Sequence, residues 1–205
     1  MRRLSTSVVI VCDGAAGNFQ RASAVRGVLE TFGLQIHFYQ LLQQQNVLNF
    51  LTGDYPDCDY VIWFCYGCPD NNGNEQLNFS VVHQKDNNYD NKSGWERVNV
   101  TLTPANLSEY IKNPKGTLIC AATSGKYWAE TFLAAGYEAY IAPSRGDTSC
   151  NSDTLFIIGF FYYLTMHGLD YYTGKQFSPQ ESVIKAASMD CDYKCGTQLF
   201  EYYEL

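Results

Sequence analysis

Tyr60-Val61-Ile62-Trp63-Phe64-Cys65 is an unbroken apolar run with two β-branched residues at its centre. A strand with one wet face alternates polar and apolar positions, so a run without alternation is expected of a central strand covered on both sides. Ser7-Val8-Val9-Ile10-Val11-Cys12 reads the same way and stops at the turn signal Asp13-Gly14. Between these runs, Val25, Val28, Leu29 and Phe32 recur at three and four and are followed by Gly33, which predicts a helix over 22–32. A second strand is expected at Gln35 to Leu41, then a short helix over 46–51 closed by Gly53. Strand, helix, strand, helix, strand is the pattern of right-handed crossovers onto a parallel sheet.

Beyond Cys65 the rhythm breaks. Residues 69–101 are rich in Asn, Asp and Gly, with alternating stretches at Leu77 to His83 and Trp95 to Leu102. They read as a polar β-hairpin insertion, over about 69–102, at the carboxyl edge of the sheet. Thr103-Pro104 predicts a helix start running through Ile111. A fourth strand follows at 116–121, a helix at 127–135 ended by Gly136, and a fifth strand at 138–142 ending in Pro143-Ser144-Arg145-Gly146. The nearly all-apolar stretch 154–166 predicts a buried helix. A last helix over 179–189 takes Ser178 as N-cap, and the tail 197–203 adds an edge strand. The expected fold is α/β: a three-layer sandwich with a mostly parallel central sheet, helices on both faces and the hairpin insertion, in one domain over 1–205.

Length and composition agree with this. A chain of 205 residues, 46% hydrophobic and 15% aromatic, is long and apolar enough for one sizeable core. A net charge of -7 and a pI near 4.9 speak against nucleic acid, whose binders draw affinity from clustered Lys and Arg. Met1-Arg2-Arg3 is basic, but Val8 to Val11 is too short for a signal-peptide core or a membrane span, so a cytoplasmic location without membrane contact is expected. Several of the eight cysteines lie inside apolar runs, where reduced thiols act as small hydrophobes. The sequons at Asn78, Asn91, Asn99 and Asn106 would matter only in a secreted chain.

In open parallel sheets ligands bind beyond the carboxyl ends of the strands. The candidate segments are therefore Asp13-Gly14, Cys65 to Cys68, Ala121 to Gly125, and Ser144 to Asp147. Two of them carry a resemblance. Asp59-Tyr60-Val61-Ile62-Trp63-Phe64-Cys65-Tyr66-Gly67, then Leu102-Thr103-Pro104-Ala105-Asn106-Leu107, then Leu118-Ile119-Cys120-Ala121-Ala122-Thr123-Ser124-Gly125 is similar, in order and spacing, to caspase-like (clan CD) cysteine peptidases of the CHAT type. In that family a strand ends in His-Gly, and the next strand ends in a motif of the type Ala-Cys-x-Ser-Gly. The likeness continues through Ala129 to Gly136 and Ala139 to Pro143.

The resemblance implies that Tyr66 stands at the catalytic His position and Ala122 at the nucleophilic Cys position. A methyl group offers no nucleophile, and a phenol is a poor proton acceptor at neutral pH. Loss of both residues points to an inactive pseudopeptidase that binds or regulates a protein or peptide, as a homodimer or as a heteromer with an active homologue. The alternative is an active cysteine endopeptidase whose nucleophile has been replaced by Ala. The family pattern further implies a substrate pocket walled by Asp13, Cys120, Ala121, Ser144, Arg145 and Asp147, where Asp13 would receive a basic side chain; as a residue in a turn, Asp13 can instead cap the helix that follows. A flavodoxin-like ligand binder would need a Gly-rich phosphate loop, for which Asp13-Gly14-Ala15-Ala16-Gly17 is a weak stand-in.

Other candidates have plain structural readings. Cys65 and Cys120 suit strand packing. Cys65 and Cys68, with Cys191 and Cys195, lack the tight paired spacing of structural zinc sites, so neither metal nor cofactor is expected. His37 and His167 suit packing or surface positions, and His83 lies in the insertion.

Overall fold

The computed structural model describes residues 6–84, 95–122, 125–144, 150–165, 173–188 and 200–205. In chain order the elements are β1 (Ser7–Asp13), α1 (Ala16–Thr31), β2 (Gln35–Leu41), α2 (Gln44–Leu51), β3 (Tyr60–Phe64), β4 (Tyr66–Pro69), β5 (Glu75–Gln84), β6 (Trp95–Leu102), α3 (Leu107–Tyr110) and β7 (Thr117–Cys120). A single 3-10 turn, Gly125–Trp128, leads into α4 (Ala129–Ala134), followed by β8 (Ala139–Pro143), α5 (Cys150–Leu164), α6 (Pro179–Ala187) and β9 (Phe200–Tyr203).

Six strands form one sheet in the order β2-β1-β3-β7-β8-β9. All neighbours are parallel except β9, which runs antiparallel to β8 at the edge. The apolar runs at Val8 and Tyr60 thus occupy the sheet's interior. Each face has its own core, because successive side chains point to opposite sides. Val8, Ile10, Ile62, Phe64, Ile119 and Ile141 pack under α1, α5 and α6. Val9, Val11, Val61, Trp63, Leu118 and Tyr140 pack on the other side, beneath α2 and α4. Trp63 is fully buried there against Phe50, Phe79 and Phe132.

The insertion is more than a hairpin. The chain leaves β3, passes Cys65 and enters β4, so the segment forms a three-stranded antiparallel sheet in the order β4-β5-β6. Leu77, Phe79, Val81, Val100 and Leu102 join the Trp63 core, which makes this sheet part of a covering layer. Two helices also differ from expectation. α1 begins six residues earlier, because the Asp13 carboxylate organises its first turn. The Thr103 region is mostly turn: Thr103 N–H donates to Asn106 Oδ1 (2.8 Å) while Asn106 N–H donates to Thr103 Oγ1 (3.2 Å), and α3 is one short turn after it. Ser178 caps α6 in a reciprocal capping box with Glu181.

The insertion is fastened to the main sheet at the end of β1. Asp13 is fully buried, and its Oδ1 accepts from Ala15 N–H (3.0 Å) and Asn18 Nδ2 (2.9 Å). Its Oδ2 accepts from Ser80 N–H in β5 (2.8 Å), while Gly14 N–H donates to the Ser80 carbonyl (2.6 Å). A Cβ at residue 14 would lie 2.9 Å from that carbonyl oxygen, so only glycine lets the two segments approach so closely. Val82 N–H makes a second backbone tie to the Leu42 carbonyl (2.7 Å). Replacing Asp13 by Ala leaves three buried donors without an acceptor. The expected loss is about 3 kcal/mol, read as a lower urea midpoint in equilibrium unfolding.

Candidate functional site

The carboxyl ends of β1, β3, β7 and β8 bring the expected segments to one end of the sheet. Asp13 is there, but its carboxylate is turned inward and engaged by Ala15, Asn18 and Ser80. Asn18 also accepts from the Arg21 guanidinium. Arg21 Nη1 pairs with Asp153 of α5 at 2.9 Å, and the guanidinium lies 5.5 Å from the Phe64 ring centroid. A carboxylate with both oxygens accepting from the chain itself acts as a structural acceptor here, and no oxygen is turned outward to meet a basic ligand.

Tyr66 opens β4 and is 45% exposed. Its hydroxyl stands 3.8 Å from where a Cβ on Gly17 would be, so the ring reaches over the first turn of α1. Ala122 is 2% exposed and belongs to the opposite core, with Cys65, Cys120 and Trp128. The two positions follow adjacent parallel strands, yet their side chains point into different surroundings. Ala121 faces the α1 side, and its N–H extends the ladder to the Trp63 carbonyl (2.9 Å). Ser144 is half-buried just past β8. Arg145 and Asp147 lie outside the described residues, as do Thr123, Ser124, His167, Cys191 and Cys195.

What the strand ends do gather is a buried cluster of sulfur and phenol. Cys65 and Cys120 are buried on the same face, and the Cys120 side chain hydrogen-bonds with both Cys65 and Tyr140. The Tyr140 hydroxyl also donates to the Gly125 carbonyl (2.8 Å). A Cβ on Gly125 would lie 2.7 Å from that of Ala142, so this glycine permits the turn after β7 to close on β8. Tyr140, Asn18, Arg21, Ser80 and Asp153 were not legible as members of this region, because nothing local in the chain marks their long-range partners.

The thiols here are poor nucleophiles. The hydrogen bond with Cys120, together with burial, pushes the Cys65 thiol well above its ordinary range. Burial pushes Cys12 up to about 12, with the Asp13 charge adding to it, and burial also pushes Cys58 up to about 12. Each is therefore a neutral thiol at physiological pH. All the described cysteines with placed side chains are free. Cys68 is exposed on β4 and accepts from Asn78 Nδ2 (3.3 Å), whereas Cys65 points into the core, so the pair shares no site. Among the described residues no three His, Cys, Asp or Glu side chains gather around a point that would hold a metal ion. His37 lies on edge strand β2, with its Nε2 3.3 Å from the Gln35 amide nitrogen. The side chain of His83 lies outside the described residues.

A groove of about 410 Å³ opens past the end of β2, lined by Tyr39, Gln40, Gln43, Asn46, Phe50 and Asp54 among others. Its carboxamides can donate and accept hydrogen bonds beside the aromatic rings, and Asp54 adds one carboxylate. No helix among the described residues is long and apolar enough to cross a membrane.

A thiol reagent at neutral pH is expected to modify Cys68 in the folded protein while leaving Cys12, Cys65 and Cys120 intact, as peptide mass mapping would read. The raised thiols also set an alkaline limit. Cys12 and Cys58 lose their protons near 9 when unfolded but only near 12 when folded, so the folded state holds more protons between those values. Stability is complete below about 9 and falls as pH rises toward about 12, which thermal midpoints across that range would register. A scan with protein-family models found no match to this chain, and a search of curated proteins found no relative of it.

Proposed function

We propose that the chain is a caspase/CHAT-like domain that performs no peptide hydrolysis and acts instead as a binding or regulatory module for a protein or peptide. The observation that carries this reading is the state of Ala122. The residue at the nucleophile position is a methyl group, 2% exposed and packed into a core. The shielded thiols Cys12, Cys58 and Cys65 are held protonated and cannot replace it. A peptidase of this chemistry needs a thiolate beside an imidazole, and the Tyr66 ring is directed over α1.

A binding role is supported by the groove past β2. Its amides and aromatic walls offer hydrogen bonds and apolar contact to an extended polypeptide, and among the described residues β2 is an edge strand with one side unpaired in the main sheet. The reduced thiols accord with a cytoplasmic setting. Self-association or pairing with an active homologue through edge strand β9 belongs to the same reading.

The test is cleavage of a fluorogenic peptide library by the purified chain, by Ala122→Cys, and by the Tyr66→His, Ala122→Cys double variant. No turnover is expected from the chain or from the single variant, and any recovered activity is expected only in the double variant. Turnover by the chain itself, or by Ala122→Cys alone, overturns the proposal.

A further inference from the structure

The sheet has a second concave end, opposite the crevice. At the amino ends of β3, β7 and β8, beside the start of α6, lies a cavity of about 270 Å³ whose walls include Cys58, Asp59, Tyr60, Thr117, Glu138 and Tyr202. Tyr60 and Thr117 are each only 7% exposed. Both contribute to the wall, and neither hydroxyl has a hydrogen-bond partner among the described residues. Both side chains border the open cavity, so a ligand that donates hydrogen bonds can take the place of water on these oxygens.

The charge around the cavity is one-sided. Asp59 Oδ2 accepts from Ser7 N–H (2.7 Å), which leaves Oδ1 without a partner among the described residues. Glu138 is exposed at the mouth and makes no ion pair among the described residues. Among the described residues, no Lys, Arg or His lines the wall. Lys115, next to the lining residue Gly116, is engaged by Asp57 at 3.3 Å and by the Tyr55 carbonyl. The phenols register the same field. Burial first, and then the charge of Asp59 and Glu138, raises Tyr60, while burial and Glu204 raise Tyr202, with Glu138 adding to it.

We infer that this cavity binds a primary ammonium group, supplied by a small free amine or by a lysine side chain. An ammonium carries three donors and no acceptor, which matches single oxygens presented from several strands. A guanidinium prefers a flat two-oxygen partner, and a metal ion would need more carboxylate, imidazole or thiolate ligands than gather here. The tyrosine rings add attraction for a desolvated cation. The volume lies below the about 300–1,000 Å³ of sites for larger organic ligands, as suits one side-chain-sized group.

The test is an amide NMR titration of the whole chain with 1,4-diaminobutane, with the blocked peptide acetyl-Gly-Lys-Gly-amide, and with 1-butanol as the uncharged control. Saturable shifts at Thr117, Ala139 and Tyr202 are expected from at least one amine, and the tighter of the two identifies the source as free amine or lysine side chain. Glu138→Gln, at an exposed position that leaves the thermal midpoint unchanged, is expected to weaken binding at least tenfold. Thr117→Val, where it folds, is expected to weaken it further. Absence of saturable shifts from both amines, equal shifts from 1-butanol, or undiminished binding by Glu138→Gln overturns the inference.

Discussion

The structure depends on how the carboxylate of Asp13 is satisfied. A fully buried negative charge is tolerated only when donors surround it, and here those donors come from the loop into α1, from α1 itself and from β5. One side chain therefore sets where α1 begins and where the antiparallel sheet docks. Asn18 carries the connection on to Arg21, and Arg21 to Asp153 at the start of α5. A continuous polar chain thus runs from the end of β1 through α1 to α5. Its members lie at the carboxyl end of the sheet, where open α/β folds usually present groups to a ligand. Here they hold the fold together.

The same inward turn governs the central strands. Cys65, Cys120 and Tyr140 direct their polar atoms toward one another beneath the covering layer, and Ala122 packs beside them. The hydrogen bond with Cys120, together with burial, keeps the Cys65 thiol neutral. Exposed functionality lies elsewhere: at Tyr66 over α1, in the amide-lined groove past β2, and in the acidic cavity at the opposite end. A packed core at the carboxyl end of the sheet is thus separated from the concave surfaces at its margins.

Strand positions were legible because burial on both faces leaves a local mark, an unbroken apolar run, and the runs at Val8 and Tyr60 became interior strands. The Ser178 cap was legible for a similar reason, since both halves of its capping box lie within one turn. The start of α1 was not, because the acceptor that organises it gains its third donor from Ser80, far along the chain. Nor was β4, whose four residues carry no alternation of their own and are defined by pairing with β5.

The candidate site divides along the same line. The order of its segments and the chemical poverty of Tyr66 and Ala122 could be read directly, since they depend only on residue type and sequence spacing. Whether Asp13 faces a ligand or the interior, whether neighbouring strand ends share a surface, and which thiols keep their protons were decided by tertiary structure alone. Those properties depend on solvent exclusion and on donors contributed from distant elements, and neither is encoded in any short stretch of the chain.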